Sequence, residues 1–148
     1  MAARDCPPHF GTRNYGPDLT SIYSLPPIHP IKTKSARLNR WLEPSYPLFI
    51  NHWRRLLGGP LAQADLVICE SGSPVLLGPR LAELAPQVVR FYRVLDDICL
   101  LNAPDVLLRA ERNHHPFTRT STASPHIGAR FAHHPNVTLE PIGIPHAE

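Results

Sequence analysis

Two adjacent carboxylates, Asp96 and Asp97, come one residue after a largely apolar stretch at residues 88–94. A carboxylate in such a position can accept a proton as a general base. Two carboxylates side by side can also bind a cation or raise the pKa of one member of the pair. The structural alternative is a helix N-cap or a turn, which is a frequent role for Asp. The residue types alone leave these alternatives open.

A second group of candidates, Glu70, Ser71 and Gly72, lies at the end of an earlier apolar stretch, residues 65–70. Glu70 can bind or orient a polar ligand, and the alternative is a solvated charge at the end of a strand. One glycine is a weak signal for a phosphate-binding loop, so Ser71 and Gly72 are read first as a tight turn.

Alternating strand and helix patterns must position these residues. The short apolar stretches typical of buried parallel strands lie at residues 65–70, 88–94, 118–123 (the weakest) and 136–140. Helical patterns lie between them, at residues 73–84, 104–112 and 124–132. The first helix is predicted to begin at an N-cap, Ser73, and to direct five apolar side chains inward: Val75, Leu76, Leu77, Leu81 and Leu84.

This order predicts an α/β fold with a Rossmann-like, doubly wound parallel sheet and right-handed crossovers. Ligands of such sheets bind beyond the carboxyl ends of the strands, where both groups of candidates are expected. A doubly wound domain normally opens with a strand and a Gly-rich turn, and the sequence has no such pattern before residue 20. We therefore expect residues 20–148 to form a partial domain.

The first half of the chain is rich in proline and less regular. Residues 1–19 are predicted to be loop or disordered, and residues 20–25 to form a short strand. Residues 35–57 have a helical pattern that Pro44 and Pro47 should divide in two and that residues 58–60, Gly-Gly-Pro, should end. The candidate buried positions in this pattern are Leu38, Leu42, Phe49, Trp53, Leu56 and Leu57.

The cysteines and histidines do not indicate a metal site or a disulfide framework. Cys6, Cys69 and Cys99 are odd in number and have no CxxC spacing, and Cys69 is expected to be a buried free thiol. The histidine pairs at residues 114–115 and 133–134 lack the spacing of a zinc motif and are expected at helix ends. No signal-peptide pattern is visible, which favours the cytoplasm.

A basic cluster of four residues within nine positions spans the start of the first helical pattern and contributes to the formal charge of +3. Its members are Lys32, Lys34, Arg37 and Arg40. They form either a solvated helix face or a surface that meets an anionic membrane or a phosphate-bearing substrate. Trp41 and Trp53 are likewise either part of a core stripe, which we favour, or interfacial anchors beside this cluster. Aromatic residues do not alternate with the basic ones, so nucleic acid is not an expected partner.

Several motifs give the chain a resemblance to a known family. The segment DLVICESG, followed after about twenty residues by VVRFYRVLDD, resembles the amino-terminal domain of GT-B glycosyltransferases. HPNVTLEPIGIPH resembles the segment that ends that domain, although Ile144-Pro145-His146 stands where relatives have Val-Asp-His. IHPIKTKSARLNRWLEP and Ser124-Pro125 are similar to the bacterial xanthan-type β-glucuronosyltransferases.

The resemblance implies an inverting glycosyltransferase that transfers glucuronate from a UDP donor to a lipid-linked oligosaccharide, in exopolysaccharide synthesis. It assigns the catalytic base to Asp96, the aspartate of Y-R-x-x-D. The expected position at the carboxyl edge of the sheet makes Glu70, Ser71, Gly72 and Asp97 the candidate substrate-binding residues. No metal or other cofactor is implied. The donor-binding domain of such enzymes has no counterpart in the sequence, so the chain alone is expected to be inactive, at the cytoplasmic face of a membrane.

Two other classes remain as alternatives. The first is a non-catalytic α/β binding module, flavodoxin-like or receiver-like, in which Asp96 and Asp97 would bind a cation. The second is a basic nucleic-acid-binding protein, which the aromatic pattern does not favour.

Overall fold

Four parallel strands organise the part of the chain that the computed structural model describes, namely residues 10–14, 20–24, 26, 28–30, 32–113 and 116–140. The strands are β3 (Leu66–Glu70), β4 (Val89–Val94), β5 (Arg119–Thr122) and β6 (Val137–Leu139). They pair in the order β3-β4-β5-β6, and the register places Tyr92 between Cys69 and Thr120. The predicted α/β, Rossmann-like parallel sheet is thereby confirmed.

The strand order runs in one direction, so right-handed crossovers place the connecting helices on one face. These four strands thus form one half of a doubly wound arrangement. The side chains of Cys69, Tyr92 and Val94 point to the helices and are buried. On the opposite face Leu66 and Ile68 keep 50% and 57% of their surfaces exposed. Among the described residues the core therefore lies on one side of the sheet.

Three helical connections cover the face of the sheet to which Cys69, Tyr92 and Val94 point. The first consists of a 3₁₀ helix, Ser73–Leu77, that continues into α3 (Gly78–Leu84). The others are α4 (Asp105–Arg112) and α5 (Pro125–Ala129). Ser124 caps α5 by accepting a hydrogen bond from the Ile127 amide at 3.3 Å, but the predicted cap at Ser73 is wrong. Gly72 occupies that cap position because the first turn is 3₁₀ and begins at Ser73.

The helical region before the sheet differs from its prediction at its end. It comprises α1 (Ala36–Leu42), a 3₁₀ turn (Glu43–Ser45) and α2 (Tyr46–Leu61). The expected division at Pro44 and Pro47 is confirmed. The expected stop at residues 58–60 is wrong, because Pro60 lies in the last turn of α2 and Leu61 continues the helix into the core, where it is buried.

Two predictions about apolar side chains in this region are corrected in part. Phe49 is buried, and Trp53 contacts it edge to face with ring centroids 6.5 Å apart, as a core stripe requires. Trp41 is 74% exposed and Leu38 is also exposed. No side chain of α1 is buried, because the 3₁₀ turn separates this short helix from the stripe of α2.

A two-stranded antiparallel sheet lies near the amino terminus. The predicted strand at residues 20–25 is confirmed as β2 (Thr20–Ser24), and it pairs with β1 (Phe10–Asn14). For these residues the prediction of loop or disorder over residues 1–19 is wrong, since each strand satisfies the backbone hydrogen-bonding groups of the other. Residues 1–9 and 15–19 lie outside the described residues.

Aromatic side chains fill the centre of the core. Tyr92 is fully buried, stacks on Phe117 with ring centroids 5.0 Å apart, and meets Phe131 edge to face at 6.5 Å. Cys69 is a buried free thiol, as expected, and burial raises its pKa to about 11. Within the described residues, no helix has the length and apolar character needed to cross a membrane.

Two leucines of α3 test the one-sided core. Leu81 is 3% exposed, whereas Leu84, which the sequence also placed inward, is 40% exposed. We expect Leu81→Ala to lower the free energy of unfolding by about 2–5 kcal/mol because it leaves a cavity. Leu84→Ala, the matched control, should cost less than about 1 kcal/mol, since solvent already reaches the site. Urea unfolding followed by circular dichroism measures both, and equal losses would contradict the described packing.

Candidate active site

The carboxyl edge of the parallel sheet brings the predicted site residues together. Glu70 is the last residue of β3, and Ser71 and Gly72 follow it directly. Asp96 and Asp97 follow the end of β4 by two and three residues. Because β3 and β4 are parallel neighbours, the loops that follow them lie side by side.

Ser71 joins these two loops. Its amide donates a hydrogen bond to the Arg93 carbonyl at 2.9 Å. Its Oγ accepts hydrogen bonds from the amides of Leu95 at 3.3 Å and Asp96 at 3.2 Å. Both lone pairs of the hydroxyl are thus directed at the backbone of the next loop. This use of Ser71 was not predicted from the sequence.

The two adjacent aspartates have different surroundings. Asp96 is exposed, and none of the described residues pairs with its carboxylate. The Asp97 side chain is only 10% exposed and accepts hydrogen bonds from the Arg130 guanidinium at 2.6 Å and from the Cys99 amide at 3.0 Å. The imidazole of His126 lies 3.8 Å from its other oxygen. Asp97 is therefore occupied by the protein, and Asp96 is available to a ligand.

A buried network continues from Asp97 into the core. Arg130 also pairs with Glu111, which is 1% exposed and accepts a hydrogen bond from the Tyr92 hydroxyl at 2.8 Å. Burial raises the pKa of the Glu111 carboxyl, while the hydrogen bond from Tyr92 and the charge of Arg130 oppose that rise. Burial also raises the pKa of Tyr92, and the Glu111 charge adds to it. The network connects β4, α4, the end of α5 and the loop at Asp97.

Neither Glu111 nor Arg130 was predicted from the sequence to belong to the site. The available signal was the position of Glu111 four residues after Leu107, on the side of α4 that is buried. A carboxylate on a buried helix face requires a cation or donors. This requirement could have directed a search for Arg130, which also lies over the Phe131 ring at 5.6 Å.

Glu70 and Gly72 also lie at the carboxyl edge of the sheet. The Glu70 carboxylate lies 3.9 Å from the Arg93 guanidinium across β3 and β4, and both side chains are about half exposed. Gly72 has φ 107° and ψ −146°, a conformation that is almost restricted to glycine. The structure supports the tight-turn interpretation of Ser71-Gly72, and Glu70 remains accessible to a ligand.

The described histidines do not supply the ligand set of a metal site. Among the described residues, no cluster of three His, Cys, Asp or Glu side chains could hold a metal ion. His133 and His134 lie at the amino edge of the sheet, near Asn136, and burial lowers the pKa of His134, with a smaller contribution from the charge of His133. His114 and His115 lie outside the described residues.

The segment before α1 and the 3₁₀ turn after it contact the elements that follow β3 and β4. Lys32 Nζ lies 3.7 Å from the carboxylate of Asp105, the first residue of α4. His29 Nε2 lies 3.3 Å from the hydroxyl of Ser73, just beyond β3, and Glu43 pairs with Arg109 of α4. The remaining cations of the basic cluster, Lys34, Arg37 and Arg40, are exposed.

One comparison with known proteins gives a match, and it covers most of the chain. The family model described as "Glucuronosyltransferase GumK, N-terminal domain" matches residues 3–120. The match includes the basic cluster, β3, β4 and both aspartates. A comparison with curated proteins gives no match.

Two glycines provide a matched test of the turn that carries Ser71. A Cβ added at Gly72 or at Gly58 would meet no atom within 4 Å, so neither substitution creates a steric clash. Gly72→Ala should nevertheless lower the free energy of unfolding by about 1–3 kcal/mol, because alanine disfavours φ 107°. Gly58→Ala, within α2, should raise it by about 0.5–1 kcal/mol. Chemical denaturation measures both, and a neutral Gly72→Ala would contradict the turn geometry.

Proposed function

The chain belongs to the family of the N-terminal domain of glucuronosyltransferase GumK, and we propose that it forms the acceptor side of an inverting glycosyltransferase in which Asp96 is the catalytic base. The observation that carries this proposal is the contrast between the two aspartates. Asp96 is exposed at the carboxyl edge of the sheet, whereas Asp97 is occupied by Arg130 and the Cys99 amide. Only one carboxylate of the pair is available for chemistry.

The reaction assigned to Asp96 is the deprotonation of an acceptor hydroxyl. The carboxylate takes the proton while the hydroxyl oxygen attacks the anomeric carbon of the donor sugar from the face opposite the leaving group. The bond between the sugar and the diphosphate breaks, and the configuration is inverted. We propose UDP-glucuronate as the donor and a lipid-linked oligosaccharide as the acceptor, following the family description and the resemblance.

The proposed substrate-binding residues differ from those that the sequence predicts. Glu70 and the neighbouring Arg93 present an exposed carboxylate and guanidinium, which can bind the hydroxyl groups of an acceptor sugar. Gly72 forms the turn beside them. Asp97 and Ser71 are already engaged by protein groups, so direct substrate contacts are assigned to Glu70 and Arg93.

The alternative of a cation-binding, receiver-like module has less support. Such a site needs the carboxylates of Asp96 and Asp97 to converge on one ion. The guanidinium of Arg130 lies 2.6 Å from Asp97, where it would repel a cation.

We also propose that α1 contacts an anionic membrane surface that carries the acceptor. Trp41 and Leu38 are exposed and three residues apart, on one side of the helix, with Arg37 beside them, whereas Arg40 lies toward the start of α4. Exposed aromatic and aliphatic side chains next to cations suit the boundary between lipid headgroups and acyl chains. The cytoplasmic face of the membrane follows from the UDP-sugar donor.

Replacement of Asp96 tests the base assignment. In a polypeptide that joins this chain to the donor-binding domain of a family enzyme, Asp96→Asn should lower kcat by about 10²–10⁴-fold, because the amide cannot accept the proton. The measurement is transfer of radiolabelled glucuronate from UDP to a polyprenyl-linked oligosaccharide. Asp65→Asn, an exposed aspartate before β3 at the opposite edge, is the control and should retain activity. Full transfer by Asp96→Asn would remove Asp96 from the base role.

Replacement of one cation tests the membrane contact. Arg37→Gln should weaken binding of the chain to phosphatidylcholine vesicles containing one quarter phosphatidylglycerol by about fivefold, since one basic residue contributes about 1 kcal/mol near such a surface. Vesicle sedimentation at low salt measures the affinity. Arg119→Gln makes the same charge change at the amino end of β5 and should leave binding unchanged. Equal effects of the two variants would argue against a contact through α1.

A further inference from the structure

We infer that Ser71 is a positioning residue that holds the backbone of Asp96 in place. This inference rests on the proposed function, because it gives Ser71 a role only if Asp96 is the base. Ser71 would touch neither the acceptor nor the donor. It would act through the loop that carries the reacting carboxylate.

The first support is the set of three hydrogen bonds that Ser71 makes to the strand and loop of its neighbour. Its amide binds the Arg93 carbonyl, and its Oγ accepts from the Leu95 and Asp96 amides. The parallel ladder between β3 and β4 is therefore extended beyond the end of β4, to the residue that carries the carboxylate. A loop without this hydroxyl would leave two amides without their protein acceptor.

The second support is the anchor on the other side of Asp96. Asp97 accepts from Arg130, which also pairs with the buried Glu111. The Asp96 backbone thus lies between Ser71 on one side and an ion pair connected to the core on the other. Its side chain remains exposed. Fixed backbone atoms with an available carboxylate are what a general base requires, since misplacement by about 1 Å can reduce a rate about 100-fold.

The loop itself provides a matched control. Ser73 is two residues from Ser71, but its hydroxyl lies 3.3 Å from His29 Nε2 instead. Replacement of either serine by alanine removes one hydroxyl from the same short segment after β3. Only Ser71→Ala removes the acceptor of the Leu95 and Asp96 amides.

The first experiment uses the chain as it is. Hydrogen exchange followed by NMR should show that Ser71→Ala speeds exchange of the Leu95 and Asp96 amides by about fivefold to tenfold, a loss comparable with one hydrogen bond. Ser73→Ala should leave these amides unchanged, and Ser71→Thr, which keeps a hydroxyl, should restore them. Unchanged exchange at both amides in Ser71→Ala would overturn the inference.

The second experiment separates this inference from the proposed function. In the polypeptide joined to a donor-binding domain, Ser71→Ala should lower kcat by about 10–100-fold with KM for the UDP-sugar unchanged, and Ser71→Thr should recover most of the rate. If Asp96→Asn is inactive while Ser71→Ala keeps its full kcat, the positioning role is wrong and the base role stands. If Asp96→Asn retains transfer, the proposed function itself fails.

Discussion

Parallel pairing in a single direction determines where everything else in this domain can lie. Because β3, β4, β5 and β6 follow one another across the sheet, each crossover returns over the same face. The core therefore forms between that face and the helices, and the loops that follow the strands collect at one edge. One crossover connection separates Ser71 from Asp96 in the sequence. Their contact is a direct consequence of this pairing.

The buried carboxylate of Glu111 imposes the second constraint. A charge removed from water is costly unless cations and donors compensate it. Arg130 and the Tyr92 hydroxyl supply that compensation, and Arg130 extends it to Asp97. The same interaction gives two neighbouring aspartates different roles. Asp97 anchors the loop, and Asp96 is exposed to solvent. The assignment of Asp96 as the base depends on this difference.

The sequence predicts the parallel sheet and its edge because apolar strands, proline and the Ser124 cap are local signals. It does not predict contacts that depend on tertiary structure. The period of the helical pattern could not fix the orientation of Trp41, since the 3₁₀ turn interrupts the phase between α1 and α2. A helical Glu is normally at the surface, so the burial of Glu111 depends on tertiary partners that local signals do not reveal. The strand β1 was missed because its pairing with β2, rather than an apolar pattern, stabilises it.

The position of α1 relates the proposed membrane contact to the proposed base, Asp96. Lys32 pairs with the first residue of α4, which follows the loop of Asp96, and Glu43 pairs with Arg109 further along that helix. These contacts flank α1 on both sides, and Ala36, Asn39 and Arg40 of α1 line one pocket with Pro104 and Asp105 at the start of α4. The helix therefore lies beside the segment that connects the loop of Asp96 to α4. An enzyme whose acceptor is held by a lipid must place its base close to the bilayer. A membrane contact at the opposite end would separate Asp96 from such an acceptor by the length of the sheet. The pocket that α1 shares with the start of α4 favours the end that avoids this separation.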